Sequence, residues 1–132
     1  FLGKPVIITS WYRPDEINRN AGGSKTSQHL YGEAVDFHIA SLDAAGLDDL
    51  FQSIVDGNVK LPNACSQIIR ETKGESEWIH MGIRTLRWIE AQKEIIASDA
   101  DSAQKSKSTK RLTSCECLRT HNGVTYELVK YI

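Results

Sequence analysis

Apolar residues recur along the chain with a changing period, and each change marks an element. Val6, Ile7, Ile8 and Thr9 form a β-branched run between Pro5 and Pro14, which predicts a buried strand with Trp11, Tyr12 and Arg13 at its exit. Residues 15–28 are polar and carry Gly22 and Gly23 among several Asn, Ser and Thr, so they read as a loop with one short helical turn, the kind of segment that often borders an active site. From Ala34 to Ile39 the period is two, which sets Ala34, Asp36 and His38 on one face of a strand and Val35, Phe37 and Ile39 on the core face. The period then lengthens. Leu42, Leu47, Leu50, Phe51 and Ile54 fall at helical spacing within 41–55, with Ser41 placed to cap the helix and Asp56-Gly57-Asn58 to end it.

Residues 66–71 and 77–82 predict two paired strands about a turn at 72–76, and a helix follows from about Leu86 to Ala97. Residues 98–110 are nearly all Ser, Ala, Asp, Lys and Gln, a composition that buries little and reads as a flexible polar segment. Beyond it, 111–119 and 124–132 flank His121-Asn122-Gly123, and Asn-Gly between apolar runs is a strong hairpin signal. The expected fold class is α+β, a small antiparallel sheet with flanking helices. The expected division is a core over 1–97, the flexible segment 98–110 and a C-terminal β-hairpin over 111–132.

Composition narrows the function. A chain of 132 residues, 40% hydrophobic and 25% charged, supports one globular domain with a real core. Its 16 Lys+Arg against 17 Asp+Glu leave a formal charge of −1, so no basic field draws nucleic acid or an anionic membrane. No apolar run approaches the ~18 residues that span a bilayer. The chain opens at Phe1 without an initiator Met and enters a strand at once, so it reads as a fragment whose preceding helix or leader is missing. Three cysteines, with Cys115 and Cys117 too close in sequence for an unstrained bridge, argue against a disulfide-stapled scaffold. Cys115, Cys117 and His121 have the elements of a metal cluster, but reduced thiols on a strand fit their spacing better.

The chemistry concentrates elsewhere. A catalytic zinc takes three nitrogen or oxygen ligands and leaves a fourth position for water. His29 at the end of the polar loop, Asp36 on the non-core face of the next strand and His80 on a separate strand form such a set. Gly32 lets the backbone turn between the first two, and Ala34 leaves room beside Asp36. Peptide hydrolysis also needs a proton carrier. Glu77, three residues before His80, is the expected base, provided the strand entry is irregular, because residues three apart on a regular strand face opposite ways. Glu71 and Glu75 are its competitors. Arg13 has a substrate-side role as a fixed donor to a carbonyl or carboxylate. Ser27, His38, Tyr12 and Trp78 are the candidates for supporting the ligands or walling the substrate groove.

Ser27, His29, Gly32, Ala34 and Asp36 closely resemble the S-x-H-x-x-G-x-A-x-D motif of the M15 zinc peptidases, the D-alanyl-D-alanine carboxypeptidase and L-alanyl-D-glutamate endopeptidase group. Glu77-Trp78-Ile79-His80 resembles that family's E-x-x-H motif, and Ser10-Trp11-Tyr12-Arg13 its S-x-Y-R motif. The resemblance implies zinc on His29, Asp36 and His80, Glu77 as base and Arg13 as substrate clamp. It also implies a fold shared with lysostaphin-type peptidases and the hedgehog signalling domain, and peptidoglycan stem peptides as substrate. A setting in the cell envelope or periplasm, or a phage-encoded lysin or tail protein, goes with that substrate. The contrasting reading is a zinc-stabilised binding domain of the hedgehog type without turnover. The segment after Gly82 matches none of these motifs.

Overall fold

The β-branched and alternating stretches form six strands: β1 (Val6–Ser10), β2 (Ala34–Ile39), β3 (Cys65–Lys73), β4 (Ser76–Ile83), β5 (Glu116–Thr120) and β6 (Glu127–Tyr131). Four helices interrupt them: α1 (Asp15–Asn20), α2 (Ala44–Val55), α3 (Leu86–Ala97) and α4 (Ser102–Arg111). A single 3-10 turn spans Gln28–Tyr31. The structure is a computed structural model that describes residues 3–21, 23 and 26–132; Phe1 and Gly22 of the sequence reading lie outside the described residues.

The strands make one sheet in the order β1-β2-β4-β3-β5-β6. All neighbours are antiparallel except β3 and β5, which run parallel. The fold is therefore mixed α and β with a mixed six-stranded sheet, and the small antiparallel sheet expected from sequence is corrected in size and in direction. The cause lies in the connection. A parallel neighbour needs a crossover of a dozen or more residues, and α3 with α4 supplies it between β4 and β5.

One face of the sheet holds the core. Leu47, Leu50, Phe51 and Ile54 form the buried stripe of α2 and pack over Phe37, Ile39, Ile68, Ile79 and Cys117. Burying side chains of this kind stabilises by ~1.5–3 kcal/mol each. The cap of α2 is Asp43, whose carboxylate accepts from Gly46 N at 2.9 Å; Ser41, the residue expected there, instead occupies a left-handed turn at φ 66°. β1 differs from expectation too. It is an edge strand, and Ile8 is 54% exposed because no neighbouring strand lies beyond it among the described residues.

The stretch 98–110, whose composition predicts a flexible segment, is mostly α4, which runs from Ser102 to Arg111. Asp101 caps it, accepting from Gln104 N at 2.8 Å, and Lys110 and Arg111 end it where cations suit the helix dipole. α4 is the partner of α3 in a helical hairpin, and Ser108 is buried. Arg84 ties this hairpin down by donating to Asn63 O, Arg111 O and Ser114 O. The C-terminal strands pair about a loop wider than Asn-Gly alone: Asn122 Oδ1 accepts from both Val124 N and Thr125 N at 2.8 Å.

Candidate functional site

His29 is fixed from three sides. Ser27 Oγ accepts from His29 N at 3.2 Å and so caps the 3-10 turn, while Gly32 ends it at φ 67°, a conformation that favours glycine. Arg13 N donates to His29 O at 2.9 Å, and the ring Nδ1 lies 2.6 Å from Trp11 O. The stretch after β1 thus holds both the backbone and the ring of His29. Asp36 on β2 and His80 on β4 are direct cross-strand partners, so both side chains leave the sheet on the face opposite the core.

These three residues converge. Asp36 Oδ1 is 3.1 Å from His29 Nε2 and 3.0 Å from His80 Nδ1, and the two imidazole rings meet edge to face with centroids 5.0 Å apart. All three are buried, with ligand atoms within 4.8 Å of one another, and this is the one such group of three among the described residues. Burial raises the Asp36 carboxyl, but hydrogen bonds and charge from His29 and His80 outweigh it and hold the group at about 2.

The donor set fits a divalent metal. A carbonyl oxygen only accepts, so the His29 nitrogen facing Trp11 O carries the proton. In the neutral ring Nε2 is then a lone pair directed at the carboxylate of Asp36, an acceptor facing an acceptor. A cation among Nε2, Oδ1 and the His80 ring resolves that conflict. Two imidazoles and one carboxylate with room for a fourth ligand are the donor pattern of catalytic zinc. Arg13 flanks the group: its Nη1 is 4.0 Å from Asp36 Oδ2, and its buried Nε has no hydrogen-bond partner among the described residues.

Glu77 is not in this group. β4 is regular throughout, so Glu77, three residues before His80, points to the opposite side of the sheet. There Glu77 Oε1 accepts from Arg70 Nη2 at 2.7 Å; Arg70 is 3% exposed, and Asp48 at 2.9 Å is its other counter-charge. The expectation of Glu77 beside the metal is corrected on that ground: it neutralises a buried arginine. Glu71 occupies the metal side instead. It is the cross-strand partner of Trp78, two residues from His80, and Glu71 Oε2 accepts from Trp78 Nε1 at 2.6 Å. Burial raises the Glu71 carboxyl above its ordinary range, and the charge of Asp36 adds to this against the pull of His80.

The remaining candidates divide. Ser27, Trp78, Arg13 and Glu71 line one cleft of about 1140 Å³ together with the three converging residues. His38 lines a separate cavity of about 210 Å³ with Glu77, and Tyr12 is exposed, so neither is brought to the metal group. Cys117 is buried in the core whereas His121 is exposed, which separates that potential cluster; Cys65 and Cys115 instead bring their thiols to 3.5 Å. The sequence reading missed two features. One is the Trp11 carbonyl, which no motif can reveal because it is backbone. The other is Glu33, a buried carboxylate paired with Arg87 and Thr85 at the start of α3, for which a charged residue inside a motif loop was the available signal.

Residues 1–81, which carry every ligand of the converging group, match the family model for Peptidase M15. No curated protein and no solved structure matches the chain. The matched segment is more than half of the 132 residues, and the chain belongs to the peptidase family M15.

Proposed function

We propose that the protein is a zinc peptidase that hydrolyses peptide bonds in bacterial cell-wall stem peptides. The observation that carries this reading is the convergence of His29, Asp36 and His80 in an open cleft of an M15 family member. M15 peptidases are zinc enzymes. His29, Asp36 and His80 would hold the zinc, which when bound would acidify a water and polarise the scissile carbonyl.

The protein's own groups do the rest. Glu71 takes the proton of the attacking water and returns it to the leaving amine, a role supported by its place on the metal side of the sheet in the same cleft as the three converging residues. Trp78 holds Glu71 in place through its indole N–H. Arg13 lines the cleft, and its Nε–H, unpaired among the described residues, is suited to a substrate carbonyl or carboxylate. Trp11 O fixes the tautomer of His29, so Nε2 is presented to the metal.

The orientation of Glu77 favours the second reading, a zinc-stabilised binding domain without turnover. Glu71 on the metal side answers it. Digestion of purified muropeptides, followed by mass spectrometry, separates the two. Wild-type protein releases fragments with new amino termini, while Glu71→Gln binds zinc and releases them at least about a hundredfold more slowly. Turnover by Glu71→Gln equal to wild type removes Glu71 from the mechanism, and an inert wild type with bound zinc favours the binding domain.

A further inference from the structure

The cleft does not stop at the metal group. Asp36 pairs with His80, His80 with Ile69, Ile69 with Leu118 and Leu118 with Leu128, so one row of side chains crosses the sheet from β2 to β6 on the metal side. All five residues line the same cleft. Beyond His80 the row is apolar and crosses three strand spacings, about 14 Å at ~4.8 Å each, the length of about four extended residues. Leu128, at the far end, is half-exposed.

The outer part of this floor and the wall above it lie after residue 81, outside the family match. From α3, Gln92 reaches the cleft; it is 6% exposed, yet its Oε1 has no hydrogen-bond partner among the described residues. The end of α4 brings Arg111, whose buried Nε is likewise unpaired. A buried acceptor and a buried donor without partners are costly unless something completes them. A peptide backbone carries both complements, an N–H and a C=O, at every residue. Arg84 ties the end of the α3–α4 hairpin to the chain just before β3 and β5 by donating to Asn63 O, Arg111 O and Ser114 O.

We infer that the residues after 81 form the substrate-holding half of the cleft, which binds an extended oligopeptide of about four residues on one side of the scissile bond. Its side chains lie on Ile69, Leu118 and Leu128, and Gln92 accepts one of its backbone N–H groups. The inference rests on the peptidase reading for its substrate class, and it assigns long peptides over dipeptides. Continuity of the row with the metal ligands is what identifies the occupant as the substrate.

The test compares two synthetic alanine-rich peptides, one of two residues and one of about eight, on wild type, Leu128→Asp and Gln92→Leu. Leu128 is open to solvent and Gln92→Leu keeps the volume, so both variants are expected to fold. The longer peptide is cut with higher kcat/KM by wild type. Each variant raises KM for the longer peptide by about fivefold, the loss of one hydrogen bond or apolar contact, and leaves the short one unchanged. Equal kcat/KM on both lengths, or equal effects of the variants on both, overturns the inference. Binding of the longer peptide to zinc-loaded Glu71→Gln, by fluorescence anisotropy, reads the same preference without turnover. Length-dependent binding without any hydrolysis by wild type sinks the peptidase reading alone, and binding indifferent to length sinks the inference.

Discussion

Asp36 Oδ1 faces a ring nitrogen of both His29 and His80, and the other His29 nitrogen is already committed to a backbone carbonyl. That arrangement suits the group to hold a cation, as the zinc reading requires, and it sets what substitutions do. His80→Ala is expected to abolish zinc binding, measured by metal analysis after dialysis, while Glu71→Gln keeps the metal and lowers kcat by ~10²–10⁴-fold, the worth of a general base. Glu77→Ala leaves turnover near wild type and costs ~1–3 kcal/mol in urea denaturation, because Arg70 is left buried with one counter-charge fewer. The pH profile follows Glu71. Only its ionised form accepts a proton, so kcat/KM falls on the acid side as the Glu71 carboxylate is protonated; in the metal-free protein burial raises that carboxyl. His29, Asp36 and His80 were legible as a group that could hold a metal, because their types and spacing carry that chemistry. Glu77 was not legible as a structural residue, because its true partner, Arg70, is seven positions away and joined to it only by the pairing of β3 with β4.

At the scale of elements, periodicity located what packs against the α2 core and failed for a helix that packs outside it. The stripe from Leu47 to Ile54 defines α2, and the alternation from Ala34 to Ile39 defines β2, with Asp36 off the core face as expected. By contrast α4 has no apolar stripe. Its cap at Asp101 and its place beside α3 hold it, and the second depends on contacts that a single sequence does not display. The cap of α2 was misplaced for a related reason: Ser41 and Asp43 are both capping residue types, and only the left-handed turn at Ser41 excludes it. Asp43→Ala should therefore destabilise the fold by ~1 kcal/mol in chemical denaturation, whereas Ser41→Ala should show no comparable loss of a cap.

For the whole molecule, the mixed sheet divides the labour between its faces. One face buries the α2 core; the other carries the metal group at the β2–β4 end and an apolar floor toward β6. The number of strands and the parallel pairing of β3 with β5 were not legible, since both depend on how far the α3–α4 connection carries the chain. The site also couples to global stability. In metal-free protein the Asp36 carboxyl is lowered from 3.8 to about 2 by its histidine partners, against the effect of burial. A lowered carboxyl stabilises fully above 3.8 and loses that contribution as pH falls toward 2, on the order of 2 kcal/mol. Acid unfolding of metal-free wild type and Asp36→Asn checks this: the variant lacks the loss in that window.

Hydrolysis of purified peptidoglycan, followed as new amino groups while chelated protein is titrated with zinc, tests the central claim most directly. Activity should rise linearly and level off at one zinc per chain, and be absent from His80→Ala at every zinc concentration. Hydrolysis that is indifferent to zinc, or that survives in His80→Ala, would contradict it.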